Sequence, residues 1–445
     1  MKLKKARTIE EAYQVFETQK PLNQDNKEFY VDIYHQDLLN LRKDLVLNLI
    51  PDKSFFVTGQ SGNGKSTALN FLPDTAICKK YDVKYLNGRD VFKLDDIDII
   101  DIILMVGYTI VNENPELEKK FLKELEELKE KKLGKLEKQI EKTSLNADQG
   151  GGDLSLRAKL PFWSLINFDS GFFAKFKIEK SSRKTIREIF TLDKLELIEK
   201  VNDIIAAYKE QQNSEKNLLI IIDDLEKIGK QDQTIELFID NIDVFQKIKC
   251  IKVITFPVYL ATQYAMYQDA SKFSIRISEN PYKACDKNIA AKNRETLATV
   301  IYNRVEKKDL VDKDAVKKAV DFSGGNLRFL MDIMQKAARN AISLDSEDTN
   351  DTRLTEIDVK SAVEELAELP SLAVMKRVKV LKYILDQNKE PEDEAMKKDF
   401  IDSVQDNSIF AYFNGHPWYE VNPVIKESVE VYSIPKNQEP PLHDP

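Results

Sequence analysis

The sequence predicts an α/β fold: a parallel sheet, then a helical unit, then a small C-terminal unit of two helices and a hairpin. Three observations predict it. A short apolar strand at residues 54–58 runs into Gly59-Gln60-Ser61-Gly62-Asn63-Gly64-Lys65-Ser66-Thr67 and on into a helix. Leu218 to Ile222 is an unbroken aliphatic run ending in Asp223-Asp224, as expected of a strand covered on both faces of a parallel sheet. Beyond residue 286 the apolar residues recur at helical spacing between short turns and acidic loops.

The segment after the first strand is a complete Gly-x-x-x-x-Gly-Lys-Ser phosphate loop. Its glycines let the backbone curl so that successive N–H groups face a phosphate. The expected phosphate contacts are Gly59, Gln60, Ser61, Gly62, Asn63, Gly64, Lys65, Ser66 and Thr67. Lys65 supplies a point charge to the β- and γ-phosphates, and the Ser66 hydroxyl ligates Mg²⁺. The helix that follows points its N-terminal dipole at the same anion.

The aliphatic run supplies the second half of the site. Carboxylates at the C-terminal end of a parallel strand lie where an open α/β sheet binds its ligand. Asp223 is expected to hold Mg²⁺, directly or through water. Asp224 is expected to orient and polarise the attacking water, with Glu226 as a second candidate. The implied cofactors are ATP and Mg²⁺.

Bulk properties bound the partners. The chain has 445 residues, enough for two or three domains. Its net charge of −8 gives no global basic footprint for nucleic acid. Three scattered cysteines argue for a reducing cytoplasm rather than a disulfide framework. Three histidines cannot build a Cys/His metal cluster. The most apolar run, Ile102 to Val111, is too short to span a bilayer.

Along the chain, residues 1–285 form the core, with an insertion at 115–190. Lys65 and Asp223 are 158 residues apart, too far for one or two βα units. Phe29 to Leu49 has helical spacing, Asp82–Leu86 reads as a strand, and a helix follows at Asp96–Asn112. Within the insertion, Glu116–Lys142 interleaves eight acids and nine bases, which predicts an exposed amphipathic helix or coiled-coil arm. Aromatic residues including Phe172, Phe173 and Phe176 alternate in a way that suggests a hairpin over 154–180. Thr191–Gln211 is helical. Strands are expected at Ile251–Thr255 and, last in the sheet, Ser274–Ile277. Residues 286–369 form the helical lid and 370–434 a small domain whose helix–helix–hairpin outline is that of a winged helix. The tail 435–445 is loose.

Together these residues are similar to a family. The phosphate loop, the Ile222-Asp223-Asp224 strand end, Thr255 and Gly324-Gly325-Asn326-Leu327-Arg328 resemble Walker A, Walker B, sensor 1 and sensor 2 of an AAA+ P-loop ATPase. The winged-helix-like end resembles that of the origin-recognition-type initiators and the STAND ATPases. The phrase from Ala411 to Pro423 resembles the wing of bacterial ATPases found in anti-phage defence loci. The resemblance covers roughly residues 25–425 without the insertion. It implies that Thr255 hydrogen-bonds the γ-phosphate or the water, and that Arg328 reaches the γ-phosphate from the lid. Two departures stand out. The usual Asp-Glu is here Asp223-Asp224, which suits a slow switch. Residues 256–273 hold no arginine finger, and Lys272, Arg276 and Arg294 are the candidate substitutes.

The reading is a slow ATP-driven switch acting through a protein effector, with homo-oligomers expected. The alternative is a DNA-binding loader or initiator. Residues 370–445 carry nine Lys+Arg against thirteen Asp+Glu, which disfavours DNA, although Lys376, Arg377, Lys379 and Lys382 cluster on one helix. A small-molecule kinase is opposed by the helical lid.

Overall fold

The computed structural model describes residues 3–17, 20–92, 94–143, 180–191, 193–212, 215–278, 287–342, 353–368, 376–413 and 416–431. The hairpin expected within 154–180 and the tail from 435 lie outside the described residues, apart from Lys180. The chain forms two compact units, one of residues 43–57 and 73–256, the other of 1–42, 58–72 and 257–445.

In the first unit, Ser54–Thr58 (β1), Tyr81–Asn87 (β2), Asn217–Asp223 (β3) and Ile251–Thr255 (β4) run parallel in the order β2-β3-β4-β1. The register sets Asn87 beside Asp223, Ile222 beside Ile254 and Val57 beside Thr255. β3 and β4 are buried along nearly their whole length, which explains their lack of polar alternation. The helix Ile99–Val111 is capped by a reciprocal Asp98–Asp101 box and is almost entirely buried.

The helix predicted as an exposed arm is not one. Pro115–Thr143 is a single helix, and Leu117, Phe121, Leu125 and Leu128 on it are each at most 2% exposed. They pack against Ile99–Val111 and against Lys194–Gln212, which buries Leu197, Ile198, Val201 and Ile204 in return. Some of the charges that suggested solvent pair instead with neighbouring segments. Lys132 bonds Asp193 and Glu196, Lys131 bonds Glu196, and Lys200 lies 3.9 Å from Glu124. Arg187 and Arg183 of the helix Lys180–Thr191 likewise clamp Asp96, and Arg187 also holds the buried Asp101.

The second unit holds the helical lid and the small domain. The lid consists of Lys287–Tyr302, Lys313–Ser323, Leu327–Ala341 and Glu356–Glu368, braced by the N-terminal helix Ile9–Val15 against Leu327–Ala341. The last strand of the α/β segment was expected at Ser274–Ile277. It is instead the two-residue β5, Ser271–Lys272, and residues 273–278 leave strand geometry. There the Phe273 carbonyl accepts the Asn63 amide, 3.3 Å away, rather than a neighbouring strand.

The small domain contains the helices Val378–Gln387 and Glu394–Gln405 and an antiparallel hairpin of Ile409–Phe413 (β6) and Pro417–Val421 (β7). A further helix, Pro423–Val431, was not anticipated, although Asn422-Pro423 is a cap-and-N1 signature and Asn422 does accept the Val424 N–H. Phe410, Tyr412 and Trp418 form a buried cluster closed by Phe329 of the lid. The Tyr412 hydroxyl donates to the Gly324 carbonyl at 2.6 Å. Gly324 has φ +59°, and a Cβ there would stand 2.4 Å from the Phe410 ring, so this lid turn requires glycine. Within the presumed basic cluster Arg377 faces inward. It is 8% exposed, donates to Ser403 Oγ at 3.1 Å and pairs with Asp406. Lys376 and Lys379 remain exposed.

Candidate nucleotide-binding site

The phosphate loop is anchored at both ends. Where β1 ends, the Phe273 N–H donates to the Thr58 carbonyl at 2.8 Å. Past Gly64 the helix Lys65–Asn70 begins, and the Thr67 hydroxyl accepts the Leu22 N–H at 3.2 Å. Between them Gly59, Gly62 and Gly64 all have positive φ, which allows the backbone to curl around an anion. The Asn63 N–H closes a turn onto the Gln60 carbonyl at 3.2 Å. Lys65 is 3% exposed, and its ammonium donates to the carbonyls of Gly59 (2.8 Å) and Gln60 (3.1 Å). Its charge is thus held over the loop by two dipoles.

Side chains from outside the motif hold the loop in place. Tyr34 donates to the Asn63 carbonyl at 2.7 Å, and its ring stacks on Phe273 at 4.9 Å. Burial pushes the Tyr34 hydroxyl well above its ordinary pKa, so it remains a donor. From the lid, Asn326 caps the helix Leu327–Ala341 with its Oδ1 and donates its Nδ2 to the Ser61 carbonyl at 2.7 Å. The Arg328 N–H reaches the Gly62 carbonyl at 3.0 Å, and its guanidinium reaches Ser61 Oγ at 3.3 Å. Arg328, chosen as a lid residue, therefore lies on the phosphate loop. Ser66 stands half-buried at the start of its helix. The side chain of Gln60 points away from the loop's concave face into the small domain.

The C-terminal end of β3 carries the acidic residues. Asp223, Asp224 and Glu226 offer carboxylate oxygens within 4.8 Å of one another, an oxygen-donor set suited to a hard divalent cation. Asp223 is fully buried. Its Oδ2 accepts the Tyr85 hydroxyl at 2.6 Å, and its Oδ1 accepts the Asp224 N–H at 2.7 Å. Burial foremost, and then the Asp223 charge, raise the Tyr85 pKa, so Tyr85 stays protonated and donating. Asp224 sits at φ +68°, a left-handed conformation costing a non-glycine residue roughly 1–2 kcal/mol. Its carboxylate is held by Lys227 and lies 3.6 Å from Arg89. Thr255 Oγ1 accepts the Leu225 N–H at 3.1 Å, which ties the end of β4 to the turn after β3.

Tyr85, Arg89 and Lys227 surround the acidic groups and were not assigned to the site from the sequence. Lys227 was within reach, four residues beyond Asp223. Tyr85 and Arg89 lie more than 130 residues before their partners and carried no signal. Of the candidate substitutes for an arginine finger, Lys272 donates to the Gln268 carbonyl, Arg294 pairs with Asp321 at 3.0 Å, and Arg276 is buried.

A phosphate-loop motif after the first of several parallel strands, an acidic end on β3, a helical lid and a winged-helix-like domain make up an α/β fold of the P-loop type. No family model and no curated protein sequence matches the chain. Among solved structures it is similar to a Drosophila origin recognition complex bound to DNA (9% identity, TM-score 0.38, covering 95% of this chain and 92% of that one). It is also similar to Cdc6p from Pyrobaculum aerophilum (12%, 0.38, 94% and 96%) and to Orc1 from Aeropyrum pernix in complex with DNA (12%, 0.37, 95% and 96%). Among the described residues no helix is long and apolar enough to cross a membrane.

Proposed function

We propose that the chain binds ATP with Mg²⁺, hydrolyses it slowly, and acts as a switch on a protein effector. The observation that carries this reading is the phosphate loop, with Lys65 buried over it and Asn326 and Arg328 of the lid bonded to its carbonyls and to Ser61. A lid that touches the loop in this way has a physical means of sensing what the loop holds. Magnesium, when bound, neutralises phosphate charge; Ser66 and Asp223 are the ligands assigned to it. Asp224 orients the water, with Glu226 beside it. Lys227 and Arg89 pair with the Asp224 carboxylate and hold it in place. A role in bacterial anti-phage defence, suggested by the Ala411–Pro423 phrase, is the physiological form we assign to the switch.

The test is Asp224→Asn. Hydrolysis is expected to fall by about 100-fold or more while ATP affinity stays within about threefold, measured by phosphate release and calorimetry. Full turnover in this variant would transfer the role to Glu226.

A second reading, a DNA loader, is favoured by Lys376 and Lys379, which stand exposed at the start of the first helix of the small domain. Duplex binding that weakens steeply between 50 and 200 mM salt, and weakens further in Lys376→Ala/Lys379→Ala, would establish it. Salt-insensitive or undetectable binding leaves the protein effector.

A further inference from the structure

The residue after the first glycine of the phosphate loop is bonded to the winged-helix-like domain. Gln60 is 2% exposed. Its Nε2 donates to the Ile409 carbonyl at 3.0 Å and to the Val404 carbonyl, and its Oε1 accepts the Ala411 N–H at 3.2 Å. Three hydrogen bonds satisfy this amide's side-chain oxygen and both of its N–H groups, in a setting where an unpaired group costs about 1–3 kcal/mol. Around it, Phe410 covers Gly324, and Tyr412 bonds the Gly324 carbonyl two residues before Asn326, which holds Ser61. β6 is therefore joined to the phosphate loop directly through Gln60 and a second time through the lid turn.

The backbone of Gln60 is engaged as well. Its carbonyl accepts both the Lys65 ammonium and the Asn63 N–H. A phosphate on the loop draws Lys65 toward itself and off the Gln60 carbonyl. The same residue that loses this bond carries the clamp on β6.

We infer that Gln60 is a positioning residue rather than a phosphate ligand, and that through it the winged-helix-like domain is part of the nucleotide site: docking of β6 stabilises the loop with Lys65 on the Gln60 carbonyl, and nucleotide loosens β6. This rests on the proposed reading of the loop as an ATP site. Linkage makes the effect reciprocal, so weakening the clamp strengthens nucleotide binding by the factor with which nucleotide weakens docking.

The experiment is amide hydrogen exchange over Ile409–Phe413 in the full chain, with and without ATP–Mg²⁺, together with calorimetric ATP affinity. In the wild type, nucleotide is expected to speed exchange there about tenfold. Gln60→Ala is expected to show fast exchange already without nucleotide, little further response, and ATP affinity raised about five- to tenfold. Gln60→Glu is the second variant, in case the alanine form fails to fold. It keeps an acceptor for the Ala411 N–H and turns its other oxygen toward two carbonyls, so its expected exchange is the same. ATP binding with unchanged or slower exchange at Ile409–Phe413 overturns the inference and leaves the ATP reading standing. Failure of the wild type to bind ATP overturns that reading. In that case the nucleotide-free variants still decide the clamp: exchange equal to wild type overturns it.

Discussion

Lys65→Ala is expected to weaken ATP–Mg²⁺ binding by at least about 100-fold, because hydrogen bonds to a charged donor are worth roughly 1.5–3 kcal/mol each and one ammonium serves more than one phosphate oxygen. The variant should fold, since carbonyls of its own loop, those of Gly59 and Gln60, brace the Lys65 ammonium. Calorimetry measures the affinity, and a circular-dichroism melt within a few degrees of wild type shows that the loss is local. Unchanged affinity would remove the loop from the site and with it the proposed function. The experiment also separates two roles within one motif. Lys65→Ala removes the phosphate contact, whereas the Gln60 variants remove the brace and should tighten binding, so neighbouring positions are expected to act in opposite directions.

The second large effect concerns stability. Phe121→Ala is expected to cost about 3–5 kcal/mol, the range for deleting a fully buried phenyl ring. The ring lies directly on the backbone of Gly107, where an added Cβ would be 2.5 Å from Phe121 Cζ, so the neighbouring helix cannot easily close the void. On the opposite face, Lys123 and Glu127 form a 3.7 Å pair with Lys123 78% exposed, and Lys123→Ala should change stability by no more than about 0.5 kcal/mol. Urea denaturation of both variants makes the comparison. A Phe121→Ala loss below about 1 kcal/mol would restore the exposed arm that the sequence suggested. The same packing means that removing residues 116–143 should unfold this unit rather than trim an appendage.

The contrast between these two sites shows what was legible in the sequence. The phosphate loop and the acidic end of β3 are local chemistry, spelled out in contiguous residues whose spacing is set by backbone geometry. The helical character of residues 286–369 and the helix–helix–hairpin outline of the small domain were read from periodicity. The helix Pro115–Thr143 was placed correctly and its surroundings were not. Interleaved charges look the same in sequence whether they face water or a partner helix. Lys132 and Asp193 are 61 residues apart, and nothing in either segment names the other. Tyr85 on Asp223 and Gln60 on β6 escaped for the same reason: each joins a motif residue to a distant position that topology alone brings to it. The last strand was misplaced because Ser274–Ile277, with isoleucines at alternate positions, reads as strand whether or not a neighbour accepts its hydrogen bonds.

The clamp on β6 has a consequence for biosynthesis. Gln60 and Ala411 are 351 residues apart. At roughly 5–20 residues per second, a ribosome needs on the order of 20–70 s to pass from one to the other. Throughout that interval the nascent chain carries a finished phosphate-loop sequence without the strand that braces it. The loop takes up its final contacts only after residues 409–411 have left the exit tunnel. On the proposed linkage, the growing chain is therefore in its most nucleotide-receptive form until β6 emerges.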